Sequence, residues 1–185
     1  MKTLVFFLEE PSAKEMLKGV LPKVIPEGIY PDFKIFEGKQ DLEKNLGKIL
    51  RAWNTPDCVF MILQDQDSGD CKIIKETLFQ ICDNATNSPV MVRIACRELE
   101  SFYLGDLEAV EKGLKIPGLS QKQNKEKFRH PDRLGTPSME LSNLTKGAYQ
   151  KVSGSRAIAP HLDLNNNKSL SFKMLINGVK KLIDF

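Results

Sequence analysis

The sequence predicts an α/β protein: a parallel sheet sandwiched by helices, with a C-terminal helical extension. Three observations carry that expectation. Short apolar runs at residues 4–8 and 59–63 stop abruptly at polar or turn residues, as fully buried strands of a parallel sheet do. Segments with apolar residues at helical spacing alternate with those runs, which is the β-α-β pattern of right-handed crossovers. Beyond Ala95 the alternation stops and helical patterns continue alone.

The elements follow in order. Strand one covers residues 3–8. A helix over 12–21 has Ser12 as N-cap and Glu15 as the partner of a capping box. Met16, Leu17, Val20 and Leu21 form its apolar face, and Pro22 and Pro26 close it. Strand two covers 32–36. Helix two, 39–53, carries Leu42, Leu46, Ile49, Leu50 and Trp53 at helical spacing. Strand three covers 58–63, helix three 71–82 and strand four 90–95. Short helices are expected over 97–103 and 108–114. The segment 116–135 is rich in Pro, Lys and Gln and is expected to loop over the surface. Helices over 138–145, 148–158 and 171–183 follow, the last capped by Ser169 or Ser171. Residues 1–105 form the α/β core in this reading. Residues 106–185 are a helical extension packed on it within a single structural domain.

Composition narrows the function classes. The 185 residues are 41% hydrophobic, enough for a sizeable core, and carry a net charge of only +3. Overall charge therefore does not call for nucleic acid, but its distribution is uneven. Acids concentrate before residue 112, and Lys and Arg dominate after it. An acidic site beside a basic half suits a phosphate-rich substrate. Cys58, Cys71, Cys82 and Cys96 form no Cys-x-x-Cys pair, so a zinc site is not expected. Cys58 and Cys96 are expected to be buried free thiols. The first apolar run is too short for a signal peptide, and no stretch reaches the length of a membrane span. A reduced, cytoplasmic protein with no membrane partner is expected. No Gly-x-x-x-x-Gly-Lys-[Ser/Thr] or Gly-x-Gly-x-x-Gly cradle is present.

The candidate site comes from where the acids stand. The first strand runs into Glu9-Glu10-Pro11-Ser12 and the third into Gln64-Asp65-Gln66-Asp67-Ser68-Gly69-Asp70. Ligand sites of such sheets lie beyond the carboxyl ends of the strands, so Glu9, Asp65 and Asp67 should meet at one edge. Three carboxylates together repel one another. A hard divalent cation, Mg²⁺ or Mn²⁺, relieves that repulsion with carboxylate oxygens and water. In extended chain, Asp65 and Asp67 point the same way, whereas Glu9 and Glu10 point oppositely. Only one of those two glutamates then belongs in the site, and Glu9 is the candidate. The plainer reading of residues 64–70 is a turn with helix-capping acids; Glu9 at the matching strand end favours a site. Glu98 and Glu100 follow strand four, either at the same edge or as first-turn acids favoured by the helix dipole. Arg97, Arg129, Lys151 and Arg156 are candidates for phosphate contact. His161 joins them as a nucleic-acid-binding candidate, against its reading as a structural histidine.

The segment Phe7-Leu8-Glu9-Glu10-Pro11-Ser12 with the later Asp65-Gln66-Asp67 resembles the Toprim pattern. That domain is shared by topoisomerases, bacterial primases, recombination proteins and the overcoming-lysogenization-defect (OLD) nucleases. The segment Arg93-Ile94-Ala95-Cys96-Arg97-Glu98-Leu99-Glu100-Ser101-Phe102-Tyr103-Leu104 is similar to the post-strand Glu-x-Glu-x-Tyr stretch of the OLD-like branch. Over the whole chain, residues 36–42 and 154–162 resemble a bacterial family labelled a domain of unknown function (number 4276), often encoded beside ABC-type ATPases. Glu10 stands where Toprim domains usually have Gly, and Ala13 where the OLD-like branch often has an acid.

The resemblance implies a Toprim-like core over about residues 3–105 and a Mg²⁺-dependent nuclease of an anti-phage defence type. Its implied partners are nucleic acid and an ABC-type ATPase. By resemblance, Asp65 and Asp67 hold the metal, and Glu9 is a metal ligand or the general acid/base. Glu98 or Glu100 completes a second metal position and joins the catalytic set. Two rivals stand beside this reading. One is a degenerate Toprim module that binds an ATPase or nucleic acid without cutting. The other is a receiver-like regulatory domain, which needs a fifth strand followed by Lys.

Overall fold

The first half of the chain forms four strands: β1 (Lys2–Leu8), β2 (Ile29–Ile35), β3 (Cys58–Asp65) and β4 (Val90–Ala95). They pair in parallel in the order β2-β1-β3-β4. The structure is a computed structural model and describes residues 2–184. Nine α-helices accompany the strands among the described residues: α1 (Pro11–Val20), α2 (Lys39–Arg51), α3 (Cys71–Asp83), α4 (Ser101–Leu104), α5 (Leu107–Leu114), α6 (Glu126–Arg129), α7 (Pro137–Leu144), α8 (Lys151–Ile158) and α9 (Leu170–Ile183).

Alternation along the strands sorts the core into two layers. Leu4, Phe6 and Leu8 of β1, with Val59, Met61 and Leu63 of β3, face one way and pack with α1, α4, α5, α8 and α9. Val5 and Phe7, with Phe60 and Ile62, face the other way and pack with α2 and α3. Both faces being covered, β1 and β3 read as unbroken apolar runs. Each fully buried large side chain contributes roughly 1.5–3 kcal/mol. The first layer contains residues of β1 and β3 together with Leu141, Tyr149, Ile158, Phe172 and Leu182. The helical extension therefore shares its core with the sheet.

Several expected boundaries move, for local reasons. No capping box forms at Ser12. Pro11 occupies the first helical turn and Glu10 is the N-cap without a side-chain cap; proline suits that position because its missing N–H has no partner there anyway. Ser12 Oγ donates to the Glu10 carboxylate instead, and Glu15 accepts from Arg156 Nε at 2.6 Å. The expected helix over 97–103 shrinks to α4, because Arg97 adopts a left-handed backbone (φ 63°). The helix expected from 148 starts at Lys151, after Gly147 with φ 80°. The 116–135 segment holds two 3-10 turns and α6. Ser169 does cap α9, accepting from Phe172 N at 3.1 Å. All four cysteines are free; Cys58 and Cys82 are buried, whereas Cys96, expected inside, is half-exposed like Cys71. The sheet has no fifth strand among the described residues. No described helix is long and apolar enough to cross a membrane.

The close approach of α1 to the end of α8 depends on Gly19. A Cβ there would lie 2.6 Å from Ala159 Cβ and 2.8 Å from the Pro160 nitrogen. Gly19→Ala should cost about 1–3 kcal/mol through overpacking, read as a lower urea midpoint at unchanged m-value. An unchanged midpoint would show that the two helices have room to part.

Candidate functional site

The parallel register of β1 and β3 builds the site. Leu8 stands beside Leu63, so continuing the register sets Glu9 beside Gln64 and Glu10 beside Asp65. By alternation, Glu10 and Asp65 fall on the layer of Leu8 and Leu63, and Glu9 falls on the layer of Phe7 and Ile62. The acids expected to converge do lie at one edge of the sheet, but they divide between its two faces.

On the α2 face, a Glu9 carboxylate oxygen accepts from the Asp65 backbone N–H at 3.1 Å. Asp67, left-handed with φ 51°, pairs with Lys39 Nζ at 2.7 Å. Burial pushes the Glu9 carboxyl above its ordinary pKa, with Asp67 and Glu10 adding, against the Asp65 N–H and Lys39. The loop carrying Asp67 is held by Arg97. The Asp67 N–H donates to Arg97 O at 2.7 Å, and Arg97 Nη1 donates to Asp67 O at 3.1 Å.

On the opposite face, Glu10, Asp65 and Glu100 form an electrostatically coupled cluster. Burial pushes the Asp65 carboxyl well above the usual range, and the charges of Glu10, Glu9 and Glu100 add to that; the Leu99 N–H opposes it. Glu100 is fully buried. Burial raises its pKa and Glu10 adds, whereas Lys151 and Tyr149 favour the carboxylate. Tyr149 OH donates to Glu100 Oε1 at 3.0 Å. Glu100 Oε2 has no hydrogen-bond partner among the described residues, an uncommon condition for a buried oxygen. Lys151 Nζ stands 3.0 Å from Glu10 Oε2. Burial pulls its pKa down, but Glu10, Glu100 and Asp65 outweigh that and leave it raised.

Glu98 lines a cavity of about 270 Å³ with Asp67 and Arg97, and accepts from Ser138 N at 2.6 Å, at the start of α7. The remaining candidates scatter. Arg156 pairs with Glu15 on the outside of α1 and α8. His161 lies in the 3-10 turn after α8, the end of α8 that meets Gly19 rather than the acids. Arg129 is exposed on α6, its Nε donating to Asn124 O at 2.8 Å. Glu10 and Lys39 are the residues that sequence reasoning passed over. Strand alternation carried from Leu8 and from Leu63 picks out Glu10 as the partner of Asp65; Lys39 lies in the family-like segment 36–42, but nothing in that segment ties it to Asp67.

The donor set is all hard carboxylate oxygen, which matches Mg²⁺ or Mn²⁺. Among the described residues no three His, Cys, Asp or Glu groups stand ready to ligate one ion. Mg²⁺ does not require such a cage, since it keeps several waters and takes one or two carboxylates. Asp65, buried beside other acids, and Glu100, with its partnerless oxygen, are the residues that would hold an ion in that way.

A carboxyl whose folded pKa lies above its unfolded one binds protons more tightly when folded. Its stabilising contribution is present at low pH and is lost as pH rises from about 4, the unfolded value, through the folded pKa. Asp65→Asn should therefore flatten the fall in Tm of chelator-treated protein between about pH 5 and about pH 8. At the upper pH it should melt higher than wild type, by roughly 2–4 °C for each kcal/mol relieved. Parallel Tm–pH curves for the two proteins would show that Asp65 carries no such penalty.

Neither the curated proteins nor the solved structures contain a match. One family model matches, over residues 8–180, a span that includes β2, β3, β4, helices α1 to α8, most of α9 and all the acids of the sheet edge. The chain belongs to the family described as Domain of unknown function (DUF4276).

Proposed function

We propose that this protein performs Mg²⁺- or Mn²⁺-dependent phosphodiester chemistry on nucleic acid, as a Toprim-like hydrolase cutting at the carboxyl edge of its sheet. The single observation that carries the proposal is the coupled Glu10–Asp65–Glu100 cluster, whose fully buried member keeps a carboxylate oxygen without a partner. Lys151 is the one cation in hydrogen-bond contact with that cluster among the described residues, so a divalent ion would complete its charge balance.

In this reading Asp65 with Glu10 or Glu100 holds the ion. When bound, the ion polarises a phosphoryl oxygen and lowers the pKa of attached water. Glu9, anchored on the Asp65 N–H, is the general acid/base; its raised pKa lets it hold or accept a proton nearer neutrality than an ordinary glutamate. Lys39 and Lys151 flank the acids from the two faces and offset the substrate's negative charge. Asp67 positions Lys39, and Arg97 holds the Asp67 loop. The ABC-type ATPase partner and the anti-phage setting belong to this proposal as its expected context.

One observation favours a second reading. Among the described residues there is no ready three-ligand group, and Asp67 and Glu10 already have lysine partners, as in a module that binds a partner or nucleic acid without cutting. Metal titration and cleavage separate the two. Millimolar Mg²⁺ or Mn²⁺ should raise the wild-type Tm by mass action, and Asp65→Asn should lose that rise. Cleavage of DNA or RNA, with or without an ATPase encoded nearby, should need the metal. It should fall by about 10²-fold or more in Glu9→Gln, as when a general acid/base is removed. His161→Gln should cut normally, because His161 lies in the turn after α8, at the end of that helix away from the acids. Metal-independent Tm together with absence of cleavage would decide for the binding module.

A further inference from the structure

The outer side of β4 is an open sheet edge: no other strand among the described residues pairs with it. Pro89 O and Ala95 O accept from Phe60 N and Gln66 N on the β3 side, at 2.9 and 3.0 Å. Backbone groups alternate sides along a strand, so those of Val90, Val92 and Ile94 face outward. Beside this edge, α3 and α9 leave a groove of about 420 Å³. Its apolar lining includes Val92, Ile94, Leu170 and Met174. Leu170 and Met174 are 68% and 53% exposed, although the opposite side of α9 is fully buried.

The rim of the groove is basic. Lys72, Lys75 and Arg93 line it, against one acid, Asp132. Asp132 is occupied in capping α9, accepting from Ser169 Oγ at 2.6 Å and Ser171 N at 2.8 Å. Among the described residues Lys72 and Lys75 take part in no salt bridge, and two lysines and an arginine outnumber the single carboxylate of the groove. Arg93 lies along the edge itself, donating to Val92 O at 3.0 Å and Met174 O at 2.8 Å. Such inward-turned cations discourage pairing with a like edge. A second copy would bring Lys72, Lys75 and Arg93 against their own counterparts. A nucleic acid would set phosphates over an apolar floor, where they lose hydration without compensation.

We propose that the β4 edge binds an extended acidic–apolar segment of a partner protein, added to the sheet as a fifth strand. Its backbone meets the outward groups of Val90 and Ile94, its apolar side chains cover Leu170 and Met174, and its carboxylates meet Lys72 and Lys75. Main-chain bonds give such strand addition its affinity, and alternate side chains give its specificity. The site lies beside the carboxyl edge and uses none of the residues assigned above to cleavage.

The test uses the full chain and a fluorescein-labelled peptide of alternating Glu and Val, without metal or nucleic acid, so its outcome is independent of the cleavage reading. Anisotropy should rise saturably and weaken with salt. Leu170→Glu combined with Met174→Glu, both at exposed positions, should weaken binding by about tenfold or more. The same peptide N-methylated at alternate amides should lose binding to wild type, a result that does not depend on any variant folding. Absence of saturable binding, equal binding of a Lys–Val peptide, or indifference to N-methylation would overturn the proposal. So would a wild-type dimer in sedimentation that the double variant converts to monomer, because a second copy would then be the occupant.

Discussion

Everything at the candidate site depends on the parallel register between β1 and β3. Leu8 beside Leu63 is an apolar pairing inside a sheet covered on both faces. A one-residue slip would turn every side chain of one strand to the wrong layer. The packing that forbids the slip also sets Glu10 beside Asp65 just past the last apolar pair. Hydrophobic register thus buries Asp65 and sets Glu10 beside it, and the carboxyl pKa values of Asp65 and Glu100 are raised first by burial and then by the neighbouring acids.

How the molecule tolerates those charges is divided between the two faces. On the α2 side, Lys39 takes Asp67, and Glu9 turns to a backbone N–H. On the other side the compensation comes from far along the chain. Lys151 reaches Glu10 from the start of α8, and Tyr149 reaches Glu100 from just before it. The helical extension therefore completes the polar environment of the sheet edge as well as covering its face. Gly19 lets α1 and the end of α8 approach closely, which keeps α8 aligned so that Lys151 and Arg156 meet Glu10 and Glu15.

The two edges of the acidic half have different characters. The carboxyl edge concentrates buried charge. The β4 edge exposes apolar side chains beside two lysines, with Arg93 along the strand. Strand order places both next to one another, since the segment that leaves β4 passes Cys96 and Arg97 before reaching Glu100. Arg97 in turn holds the Asp67 loop.

The amino-acid pattern alone is enough for the α/β class, the central strands β1 and β3 and the main helices, because burial on both faces demands uninterrupted apolar runs and helical faces demand their own spacing. The edge strand β2, expected from residue 32, starts at Ile29, since its exposed pattern marks no such run. The pattern also determined that Glu9, Asp65 and Asp67 stand at strand ends on one edge. Tertiary structure decided which acids share a face. That depends on register, and on how Pro11 starts α1 one residue after Glu10. It decided that Glu98 turns to α7 while Glu100 turns inward to Tyr149. A left-handed Arg97 redirects the chain there, a backbone state that no sequence spacing reveals. It also decided that Lys151 belongs to the acids and His161 does not, because the roles of residues so distant in sequence follow from helix packing rather than from any local pattern.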